Sequence, residues 1–322
     1  MRIRLNLNEN PYPPPSEVLK AGKKGLSLLN RYNFPEDRTL LQQLLADYSG
    51  VPRDYIITYP GSDLILREIV HMFSRDRKVI MVFPTFLPTF YAAQQSATNL
   101  SIIPLKPPNF VLNTKKLLDE LNEPTLIIID NPNNPTGKII LDRNIVETIL
   151  NYDNVRLVID EAYFEFTKVT HADLVEEYPN LAIGRTISKA FGLAGVRIGY
   201  IIGGKTFLDK FSSVSIMLSQ VGLYTAIEAI KNPGYIEKNI DLIQKERDRV
   251  SSEIKGMGLE VYPSTTNFLL INTKIDDIGK KLLEREIFIL DLSDRWLPGF
   301  IRVAIGSKKE NDAFLTNMKE IV

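Results

Sequence analysis

One lysine in this sequence stands where an amine can act as a nucleophile. Lys189 lies in the segment Arg185-Thr186-Ile187-Ser188-Lys189-Ala190-Phe191-Gly192-Leu193-Ala194-Gly195-Val196-Arg197. Small and apolar neighbours lower an amine's pKa toward the range where it is neutral and reactive. The hydroxyls of Thr186 and Ser188 precede the lysine and Arg197 follows it, and hydroxyls with an arginine fork suit a phosphate. Upstream, the β-favouring residues 155–159 run into Asp160, which is followed by Glu161, Ala162 and Tyr163. An acid at the end of such a run is partly desolvated and needs a cationic partner. Taken alone, Asp160 also reads as a helix N-cap, an ordinary use of aspartate.

Two loops add further polar groups. Asn131-Pro132-Asn133-Asn134-Pro135-Thr136-Gly137 follows the apolar run 125–130, and its prolines and glycine fix a rigid loop from which Asn134 can present its amide to a ligand. The same residue types make a plain tight turn, and the segment by itself does not decide between the two. Gly61-Ser62-Asp63 stands between a strand-like stretch at 55–58 and a helical one at 64–73. Glycine permits the tight entry and the free amides of a helix start hold phosphate, although a Ser/Asp N-cap explains the segment equally well. The combination says more than its parts. A phosphate cradle, an acid, a lysine and an arginine, in that order along an α/β chain, are what pyridoxal phosphate (PLP) requires: a phosphate clamp, a partner for the pyridinium nitrogen and a Schiff-base lysine.

The elements that must position these groups alternate along the chain. Short Val/Ile/Leu-rich runs at 78–83, 101–105, 125–130, 155–160, 181–184 and 198–202 lie between amphipathic segments, as expected for strands buried on both faces of a mainly parallel sheet. In such a sheet ligands bind beyond the carboxyl ends of the strands, where the polar residues above fall. After Asn232-Pro233-Gly234 a long charged helix over 235–255 and short strands near 259–262, 267–271 and 300–305 predict a smaller α+β domain. The expected division is residues 32–232 as the large domain, with 1–31 and 233–322 forming the N-terminal arm and small domain. The stretch Asn10-Pro11-Tyr12-Pro13-Pro14-Pro15 has too few backbone donors for a helix and predicts an extended arm.

Composition narrows the classes. At 322 residues the chain can bury a sizeable core, and its 39 basic and 39 acidic residues imply no polyanionic partner, so nucleic acid is not expected. Cysteine is absent and the histidines are His71 and His171 alone, which excludes thiolate chemistry and makes a metal site an unexpected finding. No run reaches the roughly 18 to 20 apolar residues of a membrane span, and the first ten residues lack the apolar core of a signal peptide. A cytoplasmic enzyme is expected.

The residues also carry a family likeness that runs nearly end to end. The chain resembles the fold-type I PLP-dependent aminotransferases of class I/II, and among them is most similar to the histidinol-phosphate aminotransferase group. The matching pieces are Leu7-Asn8-Glu9-Asn10-Pro11-Tyr12, Arg31-Tyr32 with Pro35 and Leu40, Gly61-Ser62-Asp63, Pro84-Thr85-Phe86, the loop 131–137, Asp160-Glu161-Ala162-Tyr163, Ser188-Lys189-Ala190-Phe191, and Ile301-Arg302-Val303 with Gly306. The resemblance implies a seven-stranded, mainly parallel sheet between helices plus a smaller α+β domain. It also implies an enzyme that moves an amino group between an amino acid, or histidinol phosphate, and a 2-oxo acid. Lys189 would carry the cofactor and move the Cα proton, Asp160 would keep the pyridine nitrogen protonated, and Asn134 and Tyr163 would bond the ring's O3′. Ser62, Asp63, Thr186, Ser188 and Arg197 would hold the phosphate, with Phe86 stacked on the ring. Tyr32 would reach the neighbouring subunit's cofactor in a homodimer, while Arg302, with Asn134 and Tyr12, would meet the substrate.

Two departures bear on the substrate. Relatives with phosphorylated substrates tend to carry an arginine near 287–290, where this chain has Leu290 with Arg295 nearby, and Ser215-Ile216-Met217-Leu218-Ser219 stands where relatives often read Pro-Phe-Asn-Val-Ser. On that basis an unphosphorylated amino acid is expected to be handled at least as well as histidinol phosphate. Threonine-phosphate decarboxylases, which share this fold, are the alternative enzyme, and a non-catalytic PLP-binding module is the alternative of another class. A Ser/Lys hydrolase fits poorly, because Ser188 and Lys189 are adjacent rather than spaced as Ser-x-x-Lys.

Overall fold

Residues that alternate between two buried faces build the centre of the molecule. The structure, a computed structural model, describes residues 2–212, 214, 216–294 and 296–322. In chain order the first strands are β1 (Ile3–Arg4), β2 (Ile56–Tyr59), β3 (Lys78–Phe83), β4 (Leu100–Pro104), β5 (Thr125–Asp130), β6 (Val155–Asp160), β7 (Leu181–Thr186) and β8 (Gly199–Gly203). Strands β2 to β8 form one seven-stranded sheet in the order β2-β8-β7-β6-β5-β3-β4. Only β8 runs against its neighbours. Val79, Met81, Leu126, Ile128, Val158 and Ile201 point to one core, and Ile80, Val82, Ile127, Ile129, Leu157 and Ile159 to the other. This period of two with both faces dry is why the strands read as unbroken apolar runs.

The helix Ser62–Phe73 closes one face of that sheet. Its buried residues Ile65, Leu66, Ile69, Val70 and Phe73 make a single stripe at helical spacing. The helix Ser16–Leu26 packs against the helix Gln220–Lys231, and the latter is capped by the Ser219 side chain, which accepts from the Gly222 N–H. Ser219, the last residue of the segment 215–219 singled out above, therefore starts a helix.

The later strands are β9 (Glu260–Val261), β10 (Phe268–Asn272), β11 (Ile287–Phe288), β12 (Leu290–Asp291) and β13 (Phe300–Ala304). They form a four-stranded sheet in the order β12-β13-β10-β9, antiparallel throughout, while β11 pairs in parallel with β1. The helix Lys308–Ile321 behind them begins with a capping box between Ser307 and Glu310. The chain start runs from this sheet toward the larger one. Leu5 donates to Phe288 and accepts from Ala304 through its backbone, and Asn267 Nδ2 donates to the Asn8 carbonyl at 3.0 Å. Residues 7–9 are thereby held over the carboxyl ends of β5 to β7. Among the described residues no helix is long and apolar enough to cross a membrane.

Candidate active site

A cavity of about 470 Å3 opens at the carboxyl ends of the central strands, and eleven of the thirteen cofactor and substrate residues expected from sequence line it: Ser62, Asp63, Phe86, Asn134, Asp160, Tyr163, Thr186, Ser188, Lys189, Arg197 and Arg302. They arrive from several parts of the fold. Asp160 ends β6, buried, and its Oδ1 accepts from the Ala162 N–H at 3.1 Å. It does not cap a helix, because the short helix that follows starts after Tyr163. Lys189 comes from the loop after β7 and its Nζ donates to the Leu7 carbonyl at 2.9 Å.

The electrostatics of these two groups are complementary. Burial first, then the positive charge of Arg302, pushes the Lys189 amine down to about 8, with Glu9 and Asp160 pulling the other way. Burial, then the neighbouring Asp130, lifts the Asp160 carboxyl to about 7. Lys189 thus gives up its proton far more readily than an ordinary lysine, and Asp160 takes a proton or a cationic partner more readily than an ordinary aspartate.

At one end of the cavity the helix Ser62–Phe73 presents its first turn. Gly61 is its N-cap, at φ 110, and no side chain caps it. The Ser/Asp cap allowed by the sequence is therefore not formed. Asp63 Oδ1 instead accepts from Arg197 Nη2, and the first amides remain open, the usual setting for an anion. Gly199 brings β8 against this turn so closely that a Cβ there would lie 2.2 Å from the Ser62 nitrogen. Thr186 Oγ1 donates to Ser188 Oγ at 2.9 Å and accepts from the Ser188 N–H at 3.1 Å.

The loop 131–137 makes the turn and also brings Asn134 to the cavity. Asn131 Oδ1 accepts from the N–H groups of Ile140 and Leu141, and Asn133 Oδ1 accepts from Thr136, so these two residues make the turn. Asn134 faces the cavity, where its Oδ1 accepts from Arg302 Nη1 at 2.6 Å. Arg302, on β13, also donates through Nη2 to the Asn6 carbonyl at 2.5 Å. Tyr163 Oη accepts from Asn8 Nδ2 at 2.8 Å, and the ring lies edge-on to Phe268.

The structure leaves two expected residues outside the cavity. Tyr32 is 81% exposed, and Tyr12 is half-buried within the N-terminal stretch 10–15. Leu290 lines a second, mostly apolar cavity of about 180 Å3, which shares Leu7, Phe86, Pro88, Asn134 and Arg302 with the first. Met217 is exposed and lines neither cavity. Ser215 and Arg295 lie outside the described residues. Sequence reasoning assigned no role to Leu7, Asn8, Glu9 and Asp130, all of which line the main cavity. Asp130 ends β5 as Asp160 ends β6, so the rule that singled out one strand-terminal acid applied to both.

A family model for aminotransferase class I and II matches residues 1–318. The chain belongs to that family. This aminotransferase is 34% identical over 327 residues to a histidinol-phosphate aminotransferase of Sulfurisphaera tokodaii, covering 99% of the chain and 90% of the relative. Among solved structures it is similar to the histidinol-phosphate aminotransferase of Sinorhizobium meliloti in complex with pyridoxal 5′-phosphate, with TM-score 0.89 and 25% identity over 100% of this chain and 90% of that one. An L-threonine-O-3-phosphate decarboxylase of Porphyromonas gingivalis shares the fold at TM-score 0.83 and 22% identity, covering 99% of this chain and 98% of that one. The protein is a PLP-dependent aminotransferase of fold type I, and the decarboxylase and non-catalytic alternatives are not favoured.

Proposed function

We propose that Lys189 carries the cofactor and Asp160 serves its ring nitrogen, and that Arg302 anchors the anionic group of an amino substrate. The observation that carries this reading is the convergence of a softened lysine amine, a buried strand-terminal acid and a cavity-facing arginine in one cavity. Bound PLP supplies an electron sink for the electrons of a broken bond at the substrate's α-carbon. The chain's own groups do the rest. The open amides of Ser62 and Asp63, the hydroxyls of Thr186 and Ser188, and Arg197 fit the phosphate. Phe86 fits the ring face, and Asn134 and Tyr163 fit O3′. Once the substrate has taken the cofactor, the Lys189 amine, neutral at lower pH than usual, moves the proton off Cα.

For the substrate itself, the reading is an amine with one anion at Arg302 and an uncharged side group in the apolar cavity beside Leu290. Apolar amino acids meet that description through their carboxylate. Histidinol phosphate, the substrate in the relatives' names, meets it through phosphate and imidazole. Amino acids and 2-oxo acids are thus the partners, in a cytoplasmic homodimer. The exposed Leu26, Leu29, Tyr32 and Phe34, close together in sequence, support a covered face there. The deciding experiment is borohydride reduction of the PLP-bound enzyme followed by peptide mapping. The label is expected on Lys189, and a label on another lysine overturns the assignment.

A further inference from the structure

Asp130 has no part in the assignments above, yet it lines the same cavity and bonds to the loops that carry two of the assigned residues. It is the register partner of Asp160 across the parallel pair β5 and β6. Both side chains line the cavity and both are buried, 5% and 7% exposed. Asp130 Oδ1 accepts from Thr85 Oγ1, while Oδ2 accepts from the Asn134 N–H at 2.7 Å and from Asn133 Nδ2 at 3.3 Å. Thr85 belongs to the loop that carries Phe86, and Asn133 belongs to the loop that carries Asn134. One carboxylate therefore ties together the two loops that flank the cavity.

These partners are neutral groups, and a clamp of this kind needs no charge, since an asparagine amide can accept from Asn133 and Asn134 through its oxygen and donate to the Thr85 hydroxyl through its nitrogen. A buried carboxylate carries a desolvation penalty that an amide does not. What the charge adds is its effect on Asp160. Burial lifts Asp130 to about 6, which leaves it mainly ionised at neutral pH, and its charge helps to lift Asp160 further. The other charged or titratable groups lining this cavity are Glu9, Asp63, Tyr163, Lys189, Arg197 and Arg302. We propose that Asp130 is a positioning residue of the cofactor site, a second carboxylate that acts with Asp160 to keep the ring nitrogen of PLP protonated while fixing the loops that bear Phe86 and Asn134. The inference rests on the reading of Asp160 as the ring-nitrogen partner.

The test uses the PLP-bound enzyme with the cofactor's ring nitrogen labelled with 15N, whose chemical shift reports its proton, titrated from neutral to alkaline pH. Asp130→Asn is expected to lose that proton at least about one pH unit below the native enzyme, the usual size of a nearby charge effect. Thr85→Val, which keeps the carboxylate but removes a donor that stabilises its charge, is expected to shift the titration the same way by less. If Asp160→Ala titrates as the native enzyme does, the Asp160 reading fails and this inference fails with it. If Asp160→Ala shifts while Asp130→Asn and Thr85→Val do not, Asp130 is a loop clamp only and the inference alone is overturned. Should Asp130→Asn not fold, Thr85→Val decides.

Discussion

Lys189 and Asp160 differ from ordinary residues of their types for the same reason, removal from water, and the difference runs in opposite directions. Desolvation disfavours whichever form is charged, so it lowers an amine and raises a carboxyl. Catalysis asks different things of the two. In the proposed roles, Lys189 is needed for the covalent link, whereas Asp160 would act on the electron demand of the ring. Asp160→Ala is accordingly expected to retain the visible absorption of the lysine-bound cofactor but to lose about a hundredfold or more in kcat, a few kcal/mol of transition-state stabilisation. Absorbance and steady-state turnover on the same preparation check this, and near-native turnover would return Asp160 to a purely structural role. Another buried acid, Glu165, is expected to affect stability rather than chemistry. It lies 3% exposed, with one oxygen lacking a hydrogen-bond partner among the described residues, and burial lifts it to about 7 against the opposing charge of Arg185. Because the folded state holds this proton more tightly than the unfolded chain, stability falls as pH rises from the ordinary glutamate range to about 7. Glu165→Gln should flatten that fall, by a few kcal/mol at most, in thermal midpoints compared at pH values below and above the window. An unchanged pH profile in the variant would sink the assignment.

Elements place these residues, and the tightest placement is the meeting of β8 with the start of the helix Ser62–Phe73. A methyl group at Gly199 would stand 2.2 Å from the Ser62 nitrogen, so Gly199→Ala must push the helix start away from the sheet. The variant is expected to fold yet to bind PLP at least about tenfold more weakly, since roughly 1.4 kcal/mol of lost phosphate contact suffices. Cofactor release on dilution, followed by absorbance, measures it, and native affinity would mean that the helix start is not the cradle. The strands around this contact were legible in the sequence because burial on both faces writes each of them as an unbroken apolar run with polar residues at its end. The helix stripe from Ile65 to Phe73 was legible through its spacing. What the sequence hid has physical causes. β11 and β12 are two residues each, too short for any period to show. The placement of Asn8 depends on β1 pairing with β11 from the far end of the chain, and no local pattern encodes a contact at that separation. Ser62, Asp63 and Asp160 look like caps locally, and only the fold shows Gly61 at the cap position and Asp63 turned to Arg197.

At the scale of the whole molecule, Tyr32 is the residue that a single chain leaves unexplained. It is 81% exposed and lines no part of the cavity, an expensive position for a large aromatic ring unless something covers it. Its neighbours Leu26, Leu29 and Phe34 are exposed as well, while Asn33 between them is buried and firmly held, accepting from the Leu218 N–H at 3.0 Å and donating to Gln220 Oε1 at 3.1 Å. Gln220 in turn donates to the carbonyls of Arg31 and Tyr32. The backbone is thus fixed while the apolar side chains are exposed, as the proposed interface requires. In a two-fold dimer each surface meets its own copy, so a Tyr32 that completes the partner's site gives every site one lysine and one tyrosine from different chains. Two inactive variants, Tyr32→Ala and Lys189→Ala, then complement each other: a mixed dimer holds one site with both defects and one with neither. Random exchange of subunits makes half of the dimers mixed, so about a quarter of the native activity is expected to return. Turnover of the mixture after subunit exchange, compared with each variant alone, is the measurement. Recovery at that level assigns Tyr32 across the interface, whereas no recovery from subunits shown to have exchanged, or a monomer by sedimentation at the assay concentration, removes Tyr32 from the site.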